Sequence, residues 1–364
     1  MKSNDASFSG SCFAEEVMLP RSNRAIRLEN EFLSATVLVD KGADIYQLIY
    51  KPQNMDVLWK SPWGLRPAVN NYPSTFRSEH AWLEVYEGGW QEIFPNGGDA
   101  CDYRGVELNF HGEASLSVWD YWIVQSRGAK AEIYLSTRLR RSPFRLERRM
   151  SVEAGKPTLS IQEKITNEGG ESLEFMWGHH PAFGAPFLGP DCRVDTGAST
   201  LVADDRFDGP ANPLQPGQSY AWPQATREGQ SADLSLVPGK DSPRHTLAYL
   251  SGFDADGWYG ITNTRLGFGV GLVWPTSIFP HAWFWQEMHA SSGFPWYKSA
   301  YVMALEPFSS FPSQGLQNVK AKTGTQRELQ PGEVLEAEIQ AVFYESRTGV
   351  SHIDAAGNVQ LRNR

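Results

Sequence analysis

The sequence predicts an all-β protein, a sandwich or barrel of antiparallel strands, and three observations predict it. Short β-prone runs follow one another from Ala25 to Tyr344, each closed by turn residues. Several alternate apolar with polar side chains, as around Leu159, Ile161 and Ile165, which is the period of a sheet covered on one side. No helical periodicity persists beyond about two turns, and 33 Gly and 23 Pro interrupt the chain throughout. Without helices to cover it, an apolar sheet face is buried against another sheet or by closure on itself.

Taken in order, residues 1–20 read as a flexible leader, Ser-rich and acidic, with no apolar stretch long enough for a signal peptide. Strands follow at 25–29, 33–39 and 45–50, with Asp40-Lys41-Gly42-Ala43-Asp44 as the turn before the third. Further strands are expected at 131–139, 145–152, 159–167, 245–250, 268–273 and 335–344. The run 173–177 reads as a strand ended by Gly178 and Pro181, which delivers His179 and His180 into a turn. Residues 301–305 read as a buried strand with Glu306 at its end. The polar stretch 204–230 is expected as a surface excursion, and 346–364 as a polar, poorly packed tail. There is no fixed-period repeat and no break in composition, so 21–345 is expected to form a single domain.

Composition bounds the function. With 21 % charged and 41 % hydrophobic residues the chain is globular rather than disordered. A net charge of −9 argues against nucleic acid or an anionic membrane as partner, since both call for basic patches. No run approaches the roughly 20 apolar residues of a spanning helix. Three cysteines, Cys12, Cys101 and Cys192, without a C-x-x-C pair suit a reducing compartment and exclude a Cys-based zinc site. A soluble, cytoplasmic protein is therefore expected. The 13 Trp, 13 Tyr and 19 Phe belong mostly to the core, with some free to stack on the apolar face of a sugar.

Few residues carry chemistry. In Tyr86-Glu87-Gly88-Gly89-Trp90-Gln91-Glu92-Ile93-Phe94-Pro95-Asn96 the glycines allow close backbone approach. There Trp90, Gln91 and Asn96 either face a polyhydroxylated ligand or belong to a turn-rich connection around a core Trp. His111 follows a short apolar run, where a lone His is commonly a hydrogen-bonded structural residue. His179 and His180 point to opposite sides of an extended chain, so one of them faces a given cleft, and a bidentate metal site is disfavoured. No H-x-H or H-x-x-x-H spacing occurs, so no metal is expected. Glu306 closes an apolar run, where desolvation raises a carboxyl pKa toward the range of a general acid or base. Its alternative role is an ion pair with Arg66, Arg77 or Arg104.

Together these segments resemble the aldose 1-epimerase (galactose mutarotase) family and its hexose-phosphate epimerase relatives. Gly88-Gly89-Trp90 with Phe94-Pro95-Asn96 is similar to the segment before the family's first histidine, and Phe110-His111-Gly112 with Trp119 to the H-G motif and its following Trp. His180-Pro181-Ala182-Phe183 resembles the H-x-Y-F element, with Ala182 in place of Tyr. Leu305-Glu306-Pro307 matches the Glu-Pro of the catalytic carboxylate, and Leu329-Gln330-Pro331-Gly332-Glu333 the turn before the last strand. The family's N-R-I segment has no clear counterpart, which leaves Arg66, Arg77 and Arg104 as candidates for its sugar-contacting arginine. Trp274-Pro275, Phe279-Pro280-His281 and Trp285-Gln286-Glu287 resemble the aromatic substrate-side strand of less typical members.

The resemblance implies a large antiparallel β-sandwich, a small-molecule sugar substrate, no cofactor, and a monomer or homodimer. It implies Glu306 as the base at the anomeric hydroxyl, His180 as the acid at the ring oxygen, and His111 as a group holding that oxygen. It also implies substrate contacts from Trp90, Asn96, Arg104, His179, Trp274, Trp285 and Gln286, with His179 as the weaker alternative to His180. Two other readings stay open. One is a non-catalytic carbohydrate-binding protein on the same fold. The other is a sugar lyase or hydrolase, which as a retaining hydrolase would pair Glu306 with Glu113 or Glu287.

Overall fold

Strands Phe144–Glu153 and Thr158–Asn167 bury alternate side chains along their length, Leu146, Met150, Ile161 and Ile165 among them. They pair antiparallel with Met150 opposite Ile161, so both apolar rows lie on one face. That face belongs to an eight-stranded sheet which also holds Phe268–Pro275 and Val334–Glu345. A 13-stranded sheet covers it. Its middle runs Ile45–Tyr50, Trp90–Ile93, Gly178–Gly184, Tyr301–Phe308, His281–Met288 and Arg244–Ser251. The computed structural model describes residues 11–67 and 75–363. Among them the named strands pair antiparallel throughout, and the two α-helices, Ser78–Glu84 and Leu316–Lys322, have seven residues each. The large antiparallel β-sandwich is as expected.

The expected strands all recur with their ends moved by at most three residues, for example Lys130–Arg138, Asn23–Glu29 and Val334–Glu345. Three expectations are corrected. The leader is a strand from Cys12 to Leu19, paired with Asn23–Glu29, because Cys12 and Ala14 find the core; residues 1–10 of that expectation lie outside the described residues. The tail is a hairpin, Val350–Ile353 against Val359–Leu361. Its Val350 and Ile353 are buried against Trp258, Val273 and Tyr344. The third correction concerns the strand Gly178–Gly184 and belongs to the site below.

Between the sheets lies an apolar core crossed by a chain of charges. Arg148 of the smaller sheet donates to Glu163 (2.6 Å), to Ala43 O (2.7 Å) and to Glu92 of the larger sheet (2.7 Å). His179 Nε2 meets Glu163 at 2.8 Å, and Trp177 Nε1–H donates to Glu92 at 3.0 Å. Every member is buried and every charge has a partner, the condition under which ions persist in a core.

Candidate active site

The site is laid out by strand parity. On Gly178–Gly184 successive side chains alternate, so His179 enters the core and His180 emerges on the opposite face of the larger sheet. Register places Gln91 beside His180 on one neighbour. On the other side Trp283 stands opposite Glu306 and Trp285 opposite Ala304. The histidines therefore sit within a strand rather than in a turn, and Glu306 lies inside Tyr301–Phe308 rather than at its end. Proline ends a strand by withholding an N–H from its ladder. Here Pro181 and Pro307 fall where the two strands have a gap in their pairing, between Gly178–Phe308 and Ala182–Ala304. The ladder opens at the residues that carry His180 and Glu306. Gly178 serves a close approach: a Cβ there would lie 2.2 Å from the Phe308 ring, which itself stacks on Trp283 at 3.7 Å.

His180 Nε2 lies 3.6 Å from Glu306 Oε1, and the rings of His111 and His180 have centroids 5.8 Å apart. Trp82 and Tyr86, from the helix Ser78–Glu84 and the residues after it, wall the site. Trp82 packs on His111 at 4.8 Å, and Tyr86 meets His180 edge-on at 5.7 Å. Trp285 closes the other side at 5.8 Å from His180 and continues to Trp296 at 5.6 Å. His180 Nδ1 and Glu306 Oε2 are buried without a hydrogen-bond partner among the described residues.

The protonation states follow from these surroundings. Burial holds the Glu306 carboxyl well above the usual carboxylate range. Burial also pushes His180 down to about 4. Both shifts favour the neutral form of each group. His111 lies well below the usual imidazole value, through burial first and the neighbouring His180 second. The Gly98 N–H donates to His111 Nδ1 (3.1 Å), so the neutral ring carries its proton on Nε2. His111 is held in a left-handed conformation (φ +57°), uncommon for a non-glycine residue. Pair and donor together can take a proton from one oxygen, give one to another and hydrogen-bond an oxygen between them.

The structure thus brings together Glu306, His180, His111 and Trp285 of the expected residues. It takes the others elsewhere. Trp90 and His179 occupy the core face, where Trp90 Nε1–H donates to His179 Nδ1 at 3.1 Å. Trp274 belongs to the smaller sheet and is buried, donating to Phe279 O. Gln286 is fully buried on the parity opposite to Trp285. Asn96 is consumed structurally, its amide donating to Asp99 O and Asn109 O and its oxygen accepting from Leu316 N. Arg104 sits in the turn of a surface hairpin, paired with Glu171. Arg66 donates to Glu84 O. Neither proposed partner carboxylate is free: Glu113 accepts from Arg140 N and Arg141 N, and Glu287 from Ala290 N and Ser291 N.

Sequence reasoning missed Trp82, Tyr86 and Trp296. Tyr86 lies in the very Gly-rich stretch singled out, and the parity of Trp90–Ile93 was the usable signal: the position matching His180 is Gln91, so Trp90 points to the core. Trp82 and Trp296 reach the site from a short helix and a loop, which carry no periodic signature.

The fold has solved relatives. A Klebsiella pneumoniae protein provisionally named an aldose 1-epimerase matches with a TM-score of 0.66 at 14 % identity, over 92 % of this chain and 84 % of its own. A galactose mutarotase-like protein from Clostridium acetobutylicum gives 0.64 at 17 %, over 92 % and 99 %. One from Lactobacillus casei gives 0.56 at 18 %, over 88 % and 100 %. At such identities the likeness is one of fold. No curated protein matches the sequence. The sequence itself matches, over residues 20–342, the family model described as a domain of unknown function, DUF4432, and the chain is a member of that family.

Proposed function

We propose that this protein is a cofactor-independent isomerase of the aldose 1-epimerase type, which interconverts the α and β anomers of a sugar. The observation that carries the reading is the His180–Glu306 pair: 3.6 Å apart, buried, and without a cation against it among the described residues. Anomer exchange removes the proton of the anomeric hydroxyl and delivers one to the ring oxygen. The ring opens to an aldehyde, C1 turns about C1–C2, and closure from the other face reverses both transfers. A carboxyl and an imidazole that hold one proton between them perform each step and return unchanged, contributing roughly 10²–10⁴-fold per positioned group.

The family resemblance makes Glu306 the base and His180 the acid. The reactive ionisation follows transfer of a proton from Glu306 to His180, since burial alone favours the neutral form of each. Sugar hydroxyls donating to the Glu306 carboxylate favour that transfer, since they supply the hydrogen bonds the buried ion lacks. The Nε2–H of His111, without a partner among the described residues, holds the ring oxygen as charge moves through it. Trp285 covers the C–H face of the ring. Polarimetry on freshly dissolved α-anomers of a hexose and pentose panel tests the proposal. The expected result is faster mutarotation in proportion to enzyme, and an unchanged rate for every sugar overturns it.

A further inference from the structure

We infer that the Tyr86 hydroxyl is a substrate contact, hydrogen-bonded to a hydroxyl of an uncharged sugar seated on His180 and Glu306. The inference rests on the sugar-site reading just given and adds to it a residue and a charge class for the substrate.

Tyr86 is 4 % exposed, and its Oη has no hydrogen-bond partner among the described residues. A buried phenol ordinarily finds one. The ring is not free to turn away in search of it. It stacks on Trp82 at 4.6 Å, packs on Trp59 at 5.6 Å and on Trp296 at 6.4 Å, and stands edge-on to His180. After burial, the charges felt by the hydroxyl are those of Glu306, Glu87 and Asp44, which sets it between the catalytic pair and a neighbouring acidic cluster.

A second orphan lies on the strand beside His180. Gln91 stands opposite His180 in register and gives its amide N–H to Gly88 O at 2.6 Å and to Asp44 at 3.4 Å. Its Oε1 is thereby fixed and left without a partner. A phenol donor and an amide acceptor, both on the His180 side of the sheet and both unpartnered among the described residues, suit the hydroxyls of a sugar, which accept and donate.

The charge class follows from what surrounds these two groups. The ammonium on this side, Lys41, is taken by the buried Asp44 and, at 3.1 Å, by Glu87. A phosphate or carboxylate placed against Tyr86 would add a negative charge at low dielectric where the Lys41 ammonium is already engaged by Asp44 and Glu87. A neutral polyol meets no such penalty.

Tyr86→Phe removes one oxygen and keeps the ring packing. Affinities by calorimetry and anomer exchange by NMR are measured for both proteins on D-glucose, D-galactose, their monodeoxy analogues and the hexose 6-phosphates. The expected result is an affinity about tenfold lower for the parent sugar in Tyr86→Phe, the size of one hydrogen bond. One monodeoxy analogue should bind both proteins equally, and the 6-phosphates should bind wild type more weakly than the parents. The variant should melt no lower than wild type, since an unpartnered hydroxyl contributes nothing to the empty fold. Equal affinities for every sugar in both proteins, tighter binding of a 6-phosphate, or no binding of any panel sugar to wild type overturns the inference. A wild type that binds sugars without exchanging anomers removes the proposed reaction and leaves the contact standing on affinity. Anomer exchange in both proteins with equal affinities removes the contact and leaves the reaction standing.

Discussion

Glu306→Gln separates the catalytic role of Glu306 from a structural one. The amide keeps the shape of the carboxyl but cannot take the anomeric proton, so exchange should fall about 10²–10⁴-fold, a barrier increase of about 3–5 kcal/mol. Stability should move the other way. Glu306 Oε1 is 3.6 Å from His180, beyond hydrogen-bond range, and Oε2 has no partner, so little bonding is lost. The sign follows from the shift: burial holds the folded carboxyl above its unfolded value. The stability associated with its proton is fully present below the unfolded pKa and is lost as pH rises toward the folded one. Wild type should therefore lose stability relative to Glu306→Gln as pH climbs from 5 to 9, and the two should melt alike at the acid end. Melting curves across that range, with sugar affinity and NMR anomer exchange on the same preparations, give the answer. A variant destabilised by the 3–5 kcal/mol of a broken buried ion pair, or a stable one exchanging at the wild-type rate, refutes the reasoning.

The pH–rate profile should be a bell. Its acid limb lies near 4, where His180 takes a second proton into the pair, and its alkaline limb lies above the ordinary carboxylate range, where Glu306 loses the first; a limb near 6.5 in place of the acid one would contradict this. Trp285→Ala should raise KM about three- to tenfold, matching the ~0.5–1.5 kcal/mol of an aromatic contact, with kcat less affected. Steady-state kinetics read both. Arg148→Met should cost about 3–5 kcal/mol in denaturant melts, because it leaves Glu92 and Glu163 buried and uncompensated.

The sheets were legible because their signal is local. Leu159, Ile161 and Ile165 announce a half-covered strand wherever it goes, and Ile45–Tyr50 was read to the residue. The floor of the site was legible for another reason: Glu306 and His180 are the polar interruptions of apolar runs. What failed was direction. Trp90, Trp274 and Gln286 are plausible sugar contacts by residue type, and only register shows that each faces a core. Asn96 failed through its partners, since Asp99, Asn109 and, from far along the chain, Leu316 claim its whole amide. The N-terminal strand was hidden by polar residues such as Glu15 and Glu16, both of which are exposed.

The adjacent histidines show how little sequence separates structure from chemistry here. His179 and His180 differ by one position on one strand, and parity gives the first to the core and the second to the site. His179 is tied on both ring nitrogens, accepting from Trp90 at Nδ1 and meeting Glu163 at Nε2, and Glu163 leads through Arg148 to Glu92 on the adjacent strand. Burial would raise Glu163, but His179 and Arg148 hold it down at about 2, while burial and the neighbouring Glu163 push Glu92 up to about 7. The chain is thus built around its cation and pins the backbone of Gly178–Gly184 from behind. That matters because Pro181 and Pro307 leave this strand weakly laddered to Tyr301–Phe308 at the point where the proposed catalytic pair lies 3.6 Å apart. A strand opened by prolines for the site on one face is held in place by ions on the other.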